Sequence, residues 1–371
     1  MRTPICETFG IEFPIFAFSH CRDVVAAVSR AGGLGVLGAL AFTPDELEIE
    51  LKWIDDHIDG KPYGVDLVMP AKYVGAGGKQ PSADELAAMI PDAHREFVEK
   101  VLSEHNIPPL PPDPDRRAIA AGLGVDDQAT GSVDIALNHP TKLLVNALGP
   151  PPKEVVDRAH DQGVLVAALC GSKVHAQKQV DIGVDIIVAQ GTEAGGHTGE
   201  ISTMVLVPEV VDAVGPDVPV LAAGGIGTGR QMTAALALGA QGAWTGSIWL
   251  TVAEADTPQD SMQNLLEASS RDTVRSRSMT GKPARQLRTA WTEAWEREDA
   301  PPTLPMPLQG MLFGDAARRI SRVHNRELAG FPVGQIVGRM DRIRPTQEVM
   351  MELVEEWIAT TERLQSLVDE G

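Results

Sequence analysis

A chain of 371 residues with 32 basic and 51 acidic side chains carries a net charge of −19, which argues against an open nucleic-acid groove or a polybasic membrane contact. Hydrophobic residues make up 43% and aromatics 4%, enough for a core that needs no disulfides or metals. Cys6, Cys21 and Cys170 are odd in number and lack C-x-x-C spacing. They fit a reducing, cytoplasmic setting better than a disulfide framework, and the N-terminus lacks the apolar run of a signal peptide.

Short apolar runs alternate with helical stretches along the chain. Strands are expected at 14–18, 34–37, 63–68, 142–147, 164–169, 185–189, 219–223 and 243–248. Most are apolar on both faces, as strands of a doubly covered parallel sheet are. Helices are expected between several of them, at 23–30, 44–57, 152–162, 173–181 and 229–238. The pattern predicts an α/β fold, a (β/α)8 TIM barrel over 1–253. Residues 70–140 read as an insertion after strand three, with a helix near 91–105 and a Pro-rich stretch at 107–114. Residues 254–345 read as a mainly helical cap with a Pro-rich break, and 346–371 as a helix returning to the barrel.

Three glycine-rich runs stand out. Gly33, Gly35 and Gly38 match G-x-G-x-x-G, but a helix precedes them and a strand follows, the reverse of a dinucleotide site. They read as a helix end running into a strand. Gly224, Gly225, Gly227 and Gly229 follow a strand and open a helix, with Thr228 and Gln231 at capping-box spacing. Such a start aims free N–H groups at an anion. The eighth strand ends at Gly246-Ser247, and the loops after strands seven and eight are the frequent phosphate site of barrels. A phosphate-bearing ligand is expected there; tight turns without a ligand are the alternative. The third run, from Gln190 to Gly199, follows strand six on the catalytic face. Its glycines permit sharp turns, and Gln190, Glu193 and His197 supply donors, acceptors and a proton carrier.

Other residues read more plainly. His20, Cys21 and His197 would share the mouth, yet no ligand spacing supports a metal. Ser19 and His20 lack a G-x-S-x-G elbow. Cys170, Trp291 and Trp295 read as packing.

The run from Gln190 to His197 resembles the hallmark loop of the nitronate monooxygenase (2-nitropropane dioxygenase) family. The stretches Ala222-Ala223-Gly224-Gly225-Ile226 and Gly281-Lys282-Pro283-Ala284-Arg285 are similar to later blocks of that family. The resemblance implies an FMN-dependent oxidoreductase on a TIM barrel. It places the phosphate on Gly225, Gly246 and Ser247, Gln190 beside the isoalloxazine, and Gly195 and Gly196 along the flavin face. Gly224, Ala17 and Asp66 would complete the cofactor site. His197 would be the catalytic residue, as general base or as electrostatic anchor, and Glu193 would orient the loop. The implied reaction oxidises a small anionic substrate, a nitronate or similar, with dioxygen or another acceptor. An NAD(P)H-dependent flavin reductase acting on quinones or an enoyl or acyl thioester is the alternative.

The chain departs from the family pattern at the mouth. Ser19 and His20 stand near the family's Pro-Met pair, and Asp66 stands where Asn is common. Ser19 and His20 are therefore expected to select substrate. An ionised Asp66 could accept but not donate hydrogen bonds and would disfavour a negatively charged reduced ring.

Overall fold

The computed structural model describes residues 2–40, 42–69, 81–111 and 127–369. Eight parallel strands close into a barrel: β1 (Ile15–Ser19), β2 (Leu34–Gly38), β3 (Tyr63–Leu67), β4 (Leu143–Asn146), β5 (Leu165–Cys170), β6 (Ile186–Gln190), β8 (Val220–Ala223) and β9 (Gly242–Thr245). β9 pairs back onto β1, with Phe16 opposite Trp244. A short β7 (Gly196–His197) follows β6 and pairs antiparallel with β11 (Ala284–Leu287), which pairs in turn with β10 (Thr273–Ser276).

Strand residues alternate between two cores. Phe16, Leu34, Val36, Leu143, Val145, Leu169, Val188, Leu221 and Trp244 fill the barrel. Ile15, Ala17, Leu37, Val65, Ile187 and Ala222 face the helices outside. Burial on both faces is why these strands read as continuous apolar runs. The helix Pro4–Phe9, which no sequence signal marked, adds Ile5, Cys6 and Phe9 to the inner core. Phe9 meets Phe16 edge to face at 5.6 Å.

The Gly33–Gly38 run belongs to the packing, as its order suggested. A Cβ on Gly35 would lie 2.3 Å from the Val25 carbonyl oxygen, so the glycine lets the helix Arg22–Arg30 seat against β2. Helix Pro44–His57 starts at a capping box formed by Thr43 and Glu46.

The structure differs from expectation in two segments. The chain after β9 is not helical throughout: β10 and β11 form a small antiparallel sheet with β7. Within the expected insertion, 70–80 and 112–126 lie outside the described residues. Its last helix, Asp127–Asn138, packs on β3 and on helix Pro44–His57 as a barrel helix does. Its helix Asp92–Glu104 instead joins helix Leu308–Arg322. Phe97, Val101 and Leu102 there share one apolar cluster with Trp291, Trp295, Leu312 and Ile320. Trp291 and Trp295 are packing residues, 6.0 Å apart between ring centroids.

The C-terminal helix Thr346–Asp369 packs against helix Gly229–Ala237. A Cβ on Gly229 would lie 2.2 Å from the Trp357 backbone nitrogen, and the Gly229 N–H donates to Glu356 Oε2 at 2.8 Å. Among the described residues, no helix is long and apolar enough to cross a membrane.

Candidate active site

All eight barrel strands run the same way, so their C-terminal ends share one rim. On it lie His20 after β1, Gly38 ending β2, Asp66 near the end of β3, Gln190 ending β6, Gly224 and Gly225 after β8, and Gly246 and Ser247 after β9. The topology therefore brings together most of the residues singled out in the sequence.

The β8 and β9 ends present free backbone N–H groups at glycines. Gly224 and Gly225 have φ of 104° and 69°, a region that disfavours side chains. Among the described residues, the N–H groups of Gly225, Gly246 and Ser247 find no acceptor. A Cβ on Gly246 would meet nothing closer than Phe18 Cδ1 at 3.9 Å. The Ser247 hydroxyl accepts from the Gly334 N–H at 2.8 Å and keeps its own proton to donate. β9 ends earlier than expected, and Ser247 opens a 3-10 turn over Ser247–Trp249. Free N–H groups at a helical start suit a phosphate.

The loop after β6 is fastened at several points. Glu193 carboxylate oxygens accept from the Thr203 N–H at 3.0 Å and the Thr203 hydroxyl at 2.9 Å. Its backbone oxygen accepts from the Gln335 N–H at 2.9 Å. Glu193 therefore orients the loop. Gly195 is constrained by the C-terminal segment, because a Cβ there would lie 2.8 Å from the Gly334 nitrogen. Gly196, by contrast, has φ of 74° and open space where a Cβ would point. The buried Arg285 ties the loop to the small sheet, donating from Nε to the Thr192 carbonyl at 2.8 Å.

His197 sits in β7 opposite Ala284 of β11, rather than in a free loop. Its Nε2 lies 2.8 Å from Thr280 Oγ1. The Thr280 hydroxyl is in reach of the Lys282 carbonyl at 3.4 Å and accepts from the Lys282 N–H at 3.3 Å. With the hydroxyl proton directed to that carbonyl, Nε2–H is the donor to Thr280 and the Nδ1 lone pair is left free. Burial, and to a lesser degree the Lys282 charge, lower the imidazole pKa to about 4. His197 is therefore neutral at physiological pH, which suits a base and not a cationic anchor.

Asp66 lies on β3 in register with Gly38 and Val145. Its side chain is buried and its Oδ1 has no hydrogen-bond partner. Desolvation raises its pKa to about 8, against the opposing pull of the Ala147 backbone N–H. The expectation of an ionised carboxylate at the mouth is thus reversed. At neutral pH Asp66 is a carboxylic acid with a proton to donate, as an Asn amide would have.

The remaining candidates separate. Gln190 is half-buried, and its amide has no partner among the described residues. His20 is exposed, its Nδ1 2.8 Å from the Gly38 carbonyl oxygen. Gly38 makes that place available, since a Cβ would lie 2.7 Å from both the His20 and Phe18 rings. Ser19 and Ala17 do not face the barrel interior. Ala17 belongs to the outer core, and the buried Ser19 accepts from the Cys21 N–H at 3.1 Å. Ala17 offers a ligand only its backbone, and Ser19 shapes the turn. The Cys21 thiol donates to the Glu254 carbonyl oxygen. The buried Cys170 thiol is pushed up to about 12 by desolvation. Neither is disposed as a nucleophile.

Several contributors escaped the sequence reading. Phe18 stacks on Trp244 at 6.3 Å and meets His20 edge to face at 5.1 Å, an aromatic row across the rim. Asn146 binds the β3 and β4 loops together, accepting from the Met69 N–H at 2.9 Å and donating to the Gly149 carbonyl at 3.0 Å. Gly334 and Gln335 hold the glycine loops from far along the chain. The inward apolar and aromatic periods were visible, but nothing local to residues 333–335 announces that role.

The residues present fit a flavin phosphate and ring. The unsatisfied N–H groups suit the former, and the free Gln190 amide, the unpartnered Asp66 oxygen and the aromatic row suit the latter. Comparison with known proteins agrees. The nitronate monooxygenase family matches residues 2–356. A Mycobacterium tuberculosis protein whose name places it among monooxygenases is 54% identical over 375 aligned residues, covering 99% of this chain and 100% of that protein. A hydroxy-methyl-oxo-octahydro-indene-carboxyl-CoA dehydrogenase of the same organism is 29% identical, covering 80% of this chain and 69% of that protein. The solved structure of nitroalkane oxidase from Streptomyces ansochromogenes is 26% identical, with a TM-score of 0.81 over 97% of this chain and 99% of that one. A family match over nearly the whole chain, a relative of this identity and a shared barrel show that the chain belongs to the nitronate monooxygenase family of flavoprotein oxidoreductases.

Proposed function

We propose that the chain is an FMN-dependent enzyme that oxidises a small anionic substrate, a nitronate or similar, with dioxygen as acceptor. The observation that carries this reading is the set of unsatisfied glycine N–H groups at the ends of β8 and β9, with the His197–Thr280 pair in the short strand after β6 beside it in support. Gly225, Gly246 and Ser247 would hold the phosphate of FMN, and Gln190 and Asp66 would meet polar edges of its ring. FMN is favoured over FAD because nothing in the sequence reads as an adenine site. When bound, the flavin supplies the two-electron chemistry.

The side chains supply the rest. A nitronate arrives already deprotonated; where the substrate enters as its conjugate acid, a neutral nitroalkane, His197 Nδ1 would accept the acidic C–H proton, while Thr280 keeps the imidazole in one tautomer. Neutral Asp66 donates a hydrogen bond without adding a negative charge at the mouth. Trp244, Phe18 and His20 line the mouth with rings and limit the size of what enters. The free, buried cysteines fit a cytoplasmic location.

A second reading, an NAD(P)H-dependent reductase of a quinone or an acyl thioester, draws support from the CoA-thioester dehydrogenase relative. An oxygen electrode and a cofactor assay separate the two. The FMN-reconstituted protein should consume oxygen on addition of an alkyl nitronate, and acid-released cofactor should elute as FMN. Gly225→Val should elute empty, because a β-branched side chain is strained at φ of 69°. Release of FAD would overturn the FMN assignment, and oxygen uptake with NADH alone would favour the second reading.

A further inference from the structure

We propose that Lys282 is the cation that seats the anionic group of the substrate at the barrel mouth, beside the His197 imidazole. This rests on the reading of the substrate as a small anion and names the residue that senses its charge.

Four cationic side chains stand on the β10–β11 hairpin and its turn near His197, and three are engaged. Arg275 donates to the Thr198 carbonyl at 3.2 Å and stands 4.0 Å from Glu200. Arg277 donates to the Gly281 carbonyl at 3.0 Å. Arg285 donates to the Thr192 carbonyl at 2.8 Å and the Thr273 hydroxyl at 3.1 Å. Lys282 differs: its ammonium forms no hydrogen bond or ion pair among the described residues. Acids outnumber bases 51 to 32 in this chain, so a half-buried ammonium left unpaired is unusual. Burial alone lowers its pKa.

Lys282 is placed to act with His197. It lies two residues before Ala284, the cross-strand partner of His197. Its backbone brackets Thr280, whose hydroxyl holds His197 Nε2. Its charge reaches the imidazole and helps keep it neutral. The arrangement divides two tasks: the lysine supplies the positive charge that the anion needs, and the neutral histidine beside it leaves that charge to Lys282 alone. A small oxyanion such as a nitronate, whose charge sits on its nitrogen-bound oxygens, is the ligand class, because a compact ammonium pairs with one charged oxygen and needs no bidentate geometry.

Inorganic nitrate serves as the probe, titrated into FMN-loaded protein and followed by the flavin difference spectrum. Lys282→Met should weaken nitrate binding about 10- to 100-fold, the usual range for a charge-assisted contact, and Lys282→Arg should restore most of it. A second readout needs no flavin. In Lys282→Met the His197 imidazole, followed by NMR, should titrate at higher pH once the neighbouring charge is gone. Equal nitrate affinity in wild type and Lys282→Met, or no nitrate binding by the wild type, would overturn the proposal, as would an unchanged His197 titration. Lys282-dependent nitrate binding without nitronate turnover would contradict the proposed substrate while leaving this site standing.

Discussion

At the scale of single residues two ionisable groups, the buried Asp66 and the half-buried His197, are both held neutral. Asp66 keeps its proton in the folded chain up to about pH 8 but would release it near 3.8 when unfolded. Between those values the folded state binds more protons, so stability is full below about pH 4 and falls as pH rises towards 8. The slope is about 1.4 kcal/mol per pH unit. Thermal melts of the flavin-free protein should show this fall between pH 5 and 8, and Asp66→Asn should flatten it. Equal slopes would mean that Asp66 ionises freely. His197 has the opposite sign, neutral above about pH 4 and charged below. With a substrate that must give up a proton, such as a neutral nitroalkane, kcat/KM should rise as pH climbs through about 4 and show no loss attributable to His197 near neutrality. A cationic anchor would instead lose activity as pH rises through about 6.5. His197→Asn should retain flavin and lose on the order of 10²–10⁴ in rate. Near-wild-type turnover by that variant would remove the histidine from the chemistry. The sequence showed Asp66 as a departure from pattern but not its protonation state, which comes from burial among strands distant in the chain.

At the scale of elements, the glycine-rich loop works as a clamp between the barrel and its surroundings. Helix Thr203–Val214 begins at Ser202, which makes no side-chain cap. Glu193 takes that place from across the loop, accepting from the Thr203 N–H and hydroxyl. Glu193→Ala should cost about 1–2 kcal/mol, as the loss of a charged cap does, and should weaken flavin retention. Glu193→Gln, which keeps one acceptor oxygen, should cost less; denaturant titration of the three proteins checks the order. The loop itself was legible, since Gln190, Glu193 and His197 stand together among glycines at the end of a strand, although the capping role of Glu193 was not. The strand it becomes was not. β7 has two residues, too few for an alternating pattern, and its partner β11 lies in a segment read as helical. For Ser19 and Ala17 the sequence left the direction of the side chain open for a related reason. Strand periodicity gives two faces, and only the closed barrel decides which one looks inward.

The whole molecule is a barrel plugged at one end and roofed at the other. The eightfold alternation was readable because each strand is buried on both faces. The plug was not, because helix Pro4–Phe9 has six residues and no long periodic signal. The roof was legible only in pieces: Trp291 and Trp295 showed as packing, but their partners Phe97 and Leu102 come from the segment after β3. Within this frame a flavin is expected to take electrons from a small anion. Anaerobic mixing of the FMN-loaded protein with an alkyl nitronate, NADH and NADPH in separate syringes tests it most directly. Bleaching of the flavin absorbance by the nitronate, and not by either nicotinamide, is the predicted result; rapid bleaching by NADH or NADPH with none by the nitronate would contradict it.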